Sequence, residues 1–353
     1  MKDIIKILKL AVDNKAADVF VLANLPITYK INGEIKTFDE ERLKSTDTFN
    51  LIAEIYKHAN RDMEKLEETG DDDFSLSVSG LSRFRVSTYR QRGSYACVIR
   101  LVSFDIPDPK KINIPEAVLE TADLQKGVII VTGPAGSGKT TTLACLIDRI
   151  NKNRRAHIIT VEDPLEYLHK NDKAIVSQRE IETDTSNYLT ALRACLRQSP
   201  DVILLGEMRD YETIKTAMTA AETGHLLIST LHTLGSANTI DRIIDVFPSS
   251  AQQQIRIQLA QTLKVVISQQ LLRKKDGGLI PVFEIMKVNN AIANMIREGK
   301  THQMDSVINT SSREGMTGMD KEIFDLYKQG IIEEDEAVRA ALSPEMMKKK
   351  LRS

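Results

Sequence analysis

Gly133-Pro134-Ala135-Gly136-Ser137-Gly138-Lys139-Thr140 constrains this chain more than any other stretch. Before it runs Val128-Ile129-Ile130-Val131, which predicts a buried strand. After it, Thr141-Thr142-Leu143-Ala144-Cys145-Leu146-Ile147 has the small and apolar residues that suit a helix. Strand, glycine loop and helix in that order are the context that gives a G-x-x-x-x-G-K-T pattern its meaning. Glycines let backbone N–H groups converge on phosphate oxygens, and the helix N-terminus adds unpaired donors and the positive end of its dipole. Lys139 is then expected to bridge the β- and γ-phosphates, and the Thr140 hydroxyl to sit on Mg²⁺. The expected nucleotide-binding set runs from Gly133 to Thr141. An ordinary glycine-rich turn is the bland alternative; the complete pattern with both flanks in place favours a nucleoside triphosphate.

At 353 residues the chain has room for two or three domains. Lys and Arg number 48 against 49 Asp and Glu, so no global field marks a nucleic-acid binder. Cys97, Cys145 and Cys195 lie far apart, against a zinc site or a disulfide framework and for a reducing compartment. The start, Met1-Lys2-Asp3-Ile4-Ile5-Lys6, lacks the apolar core of a signal peptide. Nor does any run approach the ~20 apolar residues of a spanning helix. The expectation is a cytoplasmic chain without direct membrane insertion, reaching a membrane only through a partner.

Along the chain, Ile4, Ile5, Leu8 and Val12 predict a first helix ending near Asn14. Strands are expected at 18–22, 27–31 and 34–38, with Asn32-Gly33 turning the last two into a hairpin. A helix over 46–59, capped by Ser45 or Thr46, precedes strands at 74–79, 82–91 and 94–101. This predicts an antiparallel α+β domain over residues 1–104. The segment Ser103–Pro115 carries Pro107, Pro109 and Pro115 and reads as linker, set at 105–118. From 119 to 353 strands at 128–132, 157–162, 202–205 and 225–230 alternate with helical segments, the signature of a largely parallel, helix-covered sheet. Beyond Ser249 the pattern is mostly helical, with strands near 265–269 and 280–284.

A second nucleotide signal is Asp201-Val202-Ile203-Leu204-Leu205-Gly206-Glu207, a buried strand ending in an acid. The usual Walker-B aspartate position is Gly206 here, so Glu207 is expected to orient and activate water rather than hold metal alone. Glu162 and Asp163, at the end of the 157–162 strand with Glu166 close behind, are then expected in the Mg²⁺ shell, at the sheet edge where ligands bind. A surface acid pair is the plain alternative. His232 ends a strand on the same edge and is expected to sense the γ-phosphate. His225 is expected among the nucleotide-contacting residues, with a structural hydrogen-bonding role equally open. Upstream, Arg83, Arg85, Arg90, Arg92 and Arg100 crowd paired strands. They are either a solvated face or charge supplied to a neighbouring subunit's triphosphate.

Gly133–Thr140, 159–167 (Ile-Thr-Val-Glu-Asp-Pro-Leu-Glu-Tyr), 204–210 (Leu-Leu-Gly-Glu-Met-Arg-Asp), and Thr223-Gly224-His225 with Thr230-Leu231-His232-Thr233 stand in the order Walker A, Asp box, atypical Walker B, His box. That set resembles the secretion ATPases of type II secretion and type IV pili, over nearly the whole chain. Within them it is most similar to the pilus-retraction branch, since it lacks the long N-terminal extension and the paired-cysteine insertion of the others. Residues 291–298 resemble the retraction-linked C-terminal motif, with Ala293 where arginine is usual, and 17–21 (Ala-Asp-Val-Phe-Val) depart from a Ser-Asp-Leu-His-Leu-like strand.

The resemblance implies a PAS-like N-terminal domain, a RecA-like ATPase domain and a ring of six copies that hydrolyses ATP with Mg²⁺. It implies Arg85 and Arg100 as phosphate-contacting residues, and Glu162 and Glu166 in the Asp box. It also implies a polytopic inner-membrane platform protein as partner, acting indirectly on the pilin fibre, with the chain peripheral to the inner face of the cytoplasmic membrane. A pilus-extension or type II secretion motor and an accessory retraction ATPase stay open, as does a nucleotide-sensing protein that scarcely hydrolyses.

Overall fold

The computed structural model describes residues 3–31, 34–102 and 105–352. Asn32-Gly33 and the first two linker residues, Ser103 and Phe104, lie outside them. Two compact units form, Met1–Asp105 with Glu166–Leu168, and Ile106–Leu165 with His169–Ser353.

The first unit contains α1 (Ile4–Asp13), β1 (Asp18–Val21), β2 (Thr28–Ile31), β3 (Glu34–Thr37), α2 (Ser45–His58), α3 (Glu64–Thr69), β4 (Asp71–Val78), β5 (Ser82–Gln91) and β6 (Ser94–Val102). Its sheet has the order β3-β2-β1-β6-β5-β4, antiparallel throughout. Helix α1 opens where the Asp3 carboxylate accepts from the backbone N–H groups of Ile5 and Lys6. Its apolar stripe, Ile4, Ile7, Leu8 and Ala11, packs with Leu51, Ile52 and Ile55 of α2 in one core. The expected cap of α2 is corrected. Ser45 already lies inside the helix, and the carboxylate of Asp47 reaches back to accept from the Lys44 N–H at 2.7 Å. Along β5 the side chains alternate, Phe84 and Val86 buried and Arg85 exposed.

The second unit runs α4 (Glu116–Leu119), β7 (Gly127–Thr132), α5 (Lys139–Asn153), β8 (His157–Glu162), β9 (Ile175–Glu180), α6 (Tyr188–Cys195), β10 (Val202–Leu205), α7 (Tyr211–Glu222) and β11 (Leu226–Leu231). It continues with α8 (Ser236–Asp245), α9 (Ser249–Thr262), β12 (Leu263–Arg273), β13 (Leu279–Lys287), α10 (Asn290–Glu298), α11 (Met304–Thr310), α12 (Met319–Lys328), α13 (Glu334–Ala340) and α14 (Pro344–Leu351). The sheet order is β13-β12-β7-β11-β10-β8-β9, parallel except where β13 pairs with β12. The α/β class with a largely parallel sheet is therefore the observed one.

Strands β7, β10 and β11 are buried at every residue, so they read as unbroken apolar runs. Val128 and Ile130 join one core, and Ile129 and Val131 another on the opposite face. The chain leaves β7, passes β11 and β10 to form β8, and then returns. This order aligns the C-terminal ends of β7, β11, β10 and β8 along one edge.

His169 lies in this unit, where its backbone N–H donates to Gln178 Oε1 at 2.7 Å. Burial pushes its pKa down to about 4 from the ordinary 6.5, against the opposing charge of Asp148. The folded chain thus keeps the ring neutral where the unfolded chain protonates it. That contribution is complete above pH 6.5 and is lost as pH falls toward about 4. Denaturant unfolding between these values should show the parent losing up to roughly 3 kcal/mol more than His169→Gln. Parallel losses would contradict this.

Candidate nucleotide site

The phosphate-loop sequence leaves the C-terminal end of β7 as a strained turn that only glycine can make. Gly133 has φ +146°, and a Cβ there would stand 2.2 Å from the Gln269 carbonyl oxygen and 2.7 Å from Ser137 Oγ. Gly138, at φ +88°, is the N-cap of α5, so the loop hands over directly to a helix N-terminus.

Within the loop, Lys139 is 8% exposed and its ammonium donates to the carbonyls of Gly133 and Pro134, both at 2.9 Å. The charge is held over the mouth of the loop by carbonyls of the loop itself. Ser137 Oγ is buried with no hydrogen-bond partner among the described residues. A cation over a glycine cradle, with an orphaned hydroxyl inside it, fits a polyphosphate. Pro134, Ala135 and Gly136 form the exposed crest, and Thr140 and Thr141 are half-buried at the start of α5.

Across the edge, Glu162 ends β8 and accepts from Thr160 Oγ1 at 2.7 Å. Asp163 is exposed and joined to Pro164 by a cis peptide. The Tyr188 hydroxyl shows how the acids gather. Burial first, then the charges of Asp163, Glu207 and Glu162, push its pKa well above the ordinary phenol value. The same hydroxyl explains the missing Walker-B aspartate, since a Cβ on Gly206 would lie 2.6 Å from it and 3.5 Å from the Glu162 Cα.

Glu207 Oε2 meets Arg209 Nε at 2.5 Å and His232 Nε2 at 3.4 Å. These groups and Arg242 line a cavity of about 240 Å³. Thr132 and Thr233 join their hydroxyls at 2.8 Å, and Thr233 meets Thr239 at 2.8 Å. The Thr132 hydroxyl also donates to the Thr233 carbonyl. The strand end that carries the phosphate loop is thereby tied to the turn that carries His232.

The structure corrects one expected contact. His225 sits at the start of β11, where its carbonyl accepts from the Gly127 N–H, the first residue of β7. Six strand residues, about 20 Å, separate that end of the sheet from the loop. Its Nδ1 instead bonds the Ala220 carbonyl at 2.9 Å and Thr223 Oγ1 at 3.2 Å. The histidine closes the α7–β11 connection.

Arg85 and Arg100 lie in the other unit, directly opposite each other on β5 and β6. Arg85 is exposed, and Arg100 Nε pairs with the buried Asp18 at 2.9 Å. Among the described residues no three His, Cys, Asp or Glu side chains converge as a metal site. Thr140, Glu162 and Asp163 could therefore serve Mg²⁺ only together with nucleotide oxygens and water.

Sequence reasoning missed Arg209 and Arg242. It also missed a cavity of about 270 Å³ beside Gly138 and Thr141, walled by Ile112, Asn113, Gln269 and Pro281 among others. Only Arg209, two residues after Glu207, had a signal in its spacing.

The Gly206 geometry makes a prediction for a double-mutant cycle. Gly206→Ala should cost about 1–3 kcal/mol by overpacking against the phenol oxygen. In a Tyr188→Phe background denaturant unfolding should recover most of that cost; an unchanged cost would refute the contact.

Residues 1–339 match the model of the type II/IV secretion system protein family. The type IV pilus retractation ATPase PilT of Pseudomonas aeruginosa is 40% identical over 97% of this chain and 99% of its own. The type IV pilus ATPase PilU of the same organism is 35% identical over 95% of this chain and 88% of its own. A crystal structure of the pilus retraction motor PilT with bound ADP superposes with a TM-score of 0.88 at 44% identity, covering 99% of this chain and 100% of that one. No helix among the described residues is long and apolar enough to cross a membrane. The chain belongs to the type II/IV secretion system proteins and, within them, to the PilT-type retraction ATPases.

Proposed function

We propose that this chain is an Mg²⁺-dependent ATPase that works as a homo-hexamer to drive type IV pilus retraction. The observation that carries the reading is one sheet edge holding both Lys139, over the glycine loop, and Glu207, beside His232. In this reading Gly133–Thr141 hold the polyphosphate, with Lys139 exchanging loop carbonyls for phosphate oxygens. Glu207 orients the attacking water, and His232 reports on the γ-phosphate. Mg²⁺, when bound with the nucleotide, would neutralise phosphate charge, held by Thr140 and, through water, by Glu162 and Asp163. The cavity beside Gly138 has apolar sides in Ile112, Ile114, Leu271 and Pro281 and polar groups in Asn113 and Gln269, a mixture that would suit a purine base.

The larger machine is part of the same proposal. The first unit would act as a PAS-like domain and the second as a RecA-like motor, with Arg85 and Arg100 supplying charge to phosphate. Nucleotide turnover would rotate the units about the proline segment 107–115. A polytopic platform protein at the inner face of the cytoplasmic membrane would receive the motion, and pilin subunits would leave the fibre base.

An accessory retraction ATPase is the second reading, favoured by Ala293. This residue is 9% exposed within the core, where the arginine usual in the family would be buried.

Steady-state phosphate release from ATP tests the motor. Glu207→Gln and Lys139→Ala should each lower turnover by about 10²-fold or more, and rates equal to the parent would overturn the reading. Deleting the gene should leave cells hyperpiliated and unable to twitch, whereas bald cells would rule out retraction.

A further inference from the structure

Gln269 lies on β12, one residue past the rung where Ser268 faces Thr132 of β7. It is 3% exposed, so its amide must place its donors and acceptor inside the protein. Its Oε1 accepts from Thr142 Oγ1, in the first turn of α5, at 2.7 Å. Its Nε2 lies 2.9 Å from where a Cβ on Gly138 would stand, and its backbone oxygen 2.2 Å from the same point on Gly133. One residue thus lies against the first glycine of the phosphate loop, the last glycine and the helix that follows. Gln270 faces the other way, its Nε2 donating to the Ala340 carbonyl at 2.9 Å.

We propose that Gln269 is a positioning residue of the nucleotide site, acting through the phosphate loop by holding Gly133, Gly138 and Thr142 in one arrangement. The inference rests on the nucleotide reading of that loop. A loop of glycines has many conformations open to it, and few of them point successive N–H groups at one anion. The backbone of β12 blocks one set of alternatives at Gly133. The side-chain amide closes another at Gly138, and its bond to Thr142 keeps α5 at a fixed distance from β12. If removing the amide leaves the loop competent a tenth of the time, apparent affinity falls by the same factor.

The test titrates Mg²⁺-ADP into full-length protein by calorimetry and follows kcat and KM for ATP. Gln269→Met keeps the length and loses the hydrogen bond to Thr142 and the amide packed beside Gly138; it should bind ADP about tenfold more weakly, with KM rising more than kcat falls. Gln269→Glu keeps an acceptor for Thr142 and sets a negative oxygen beside the phosphates. It should bind more weakly still while melting near the parent temperature. Gln270→Met, which loses a hydrogen bond on the same strand, should bind ADP like the parent.

Parent-like binding by both Gln269 variants would overturn the inference, as would equal weakening in Gln270→Met. Lys139→Ala separates the two levels of the reading. If it binds ADP as the parent does, or if the parent binds none, the nucleotide assignment fails and takes this inference with it.

Discussion

The close approach of two backbones, Gly133 at the end of β7 and the Gln269 carbonyl on β12, is the constraint on which this site depends. It exists because β12 pairs in parallel with β7 and continues past it, so the loop has a wall to turn against. Any side chain at 133 would have to displace that wall. The sheet order supplies the rest. With β11 and β10 between β7 and β8, the connection from β7 to β8 must cross two strands, and the ends of all four open onto one edge. Ligands of open parallel sheets bind at such crossovers. The burial of β7, β10 and β11 on both faces keeps that edge rigid, since close-packed interiors do not yield locally.

Charge gathers in two places along the edge. The Lys139 ammonium rests on two carbonyls that a phosphate can replace without moving the backbone. Opposite it, Glu162, Asp163 and Glu207 gather around the Tyr188 hydroxyl, whose raised pKa keeps it a neutral donor. Glu207 also meets Arg209 and His232. Arg209 is largely exposed, so water screens that pair and its net strength is small, about 0–1 kcal/mol. A weak partner suits a carboxylate that must turn toward water during turnover. The threonine chain from Thr132 through Thr233 to Thr239 is buried more deeply and serves a different end, fixing His232 relative to the loop.

What the sequence made legible was local. The loop, the apolar strands beside it and Glu207 each carry their signal within a few residues, because apolar runs, glycine spacing and a strand-end acid are short-range patterns. Strand β9 escaped notice since Ile175-Val176-Ser177-Gln178-Arg179-Glu180 is an edge strand, paired on one side, without a continuous apolar run. Helix α3 has only 6 residues and is rich in glutamate, too short for a periodicity to read. His225 misled because it stands only seven positions before His232, and only the strand length shows that they mark opposite ends of β11. The cap of α2 falls at Lys44, one residue before Ser45 and two before Thr46, because the carboxylate that closes the box belongs to Asp47, beside that serine and threonine. Gln269 and the cavity it lines were invisible for another reason. Their residues come from β12, β13, the segment before α4 and the loop, and tertiary pairing alone unites them.

The central claim is that the glycine loop is a preformed anion cradle whose lysine changes partners while the acid edge faces it. Determining the structure with a non-hydrolysable ATP analogue and Mg²⁺ tests this most directly. The account predicts phosphates between Gly133 and Thr140, the Lys139 ammonium moved from the Gly133 and Pro134 carbonyls onto phosphate oxygen, and the Glu207 carboxylate within one water of the γ-phosphate. Nucleotide bound elsewhere, with Lys139 still resting on its own loop, would contradict it.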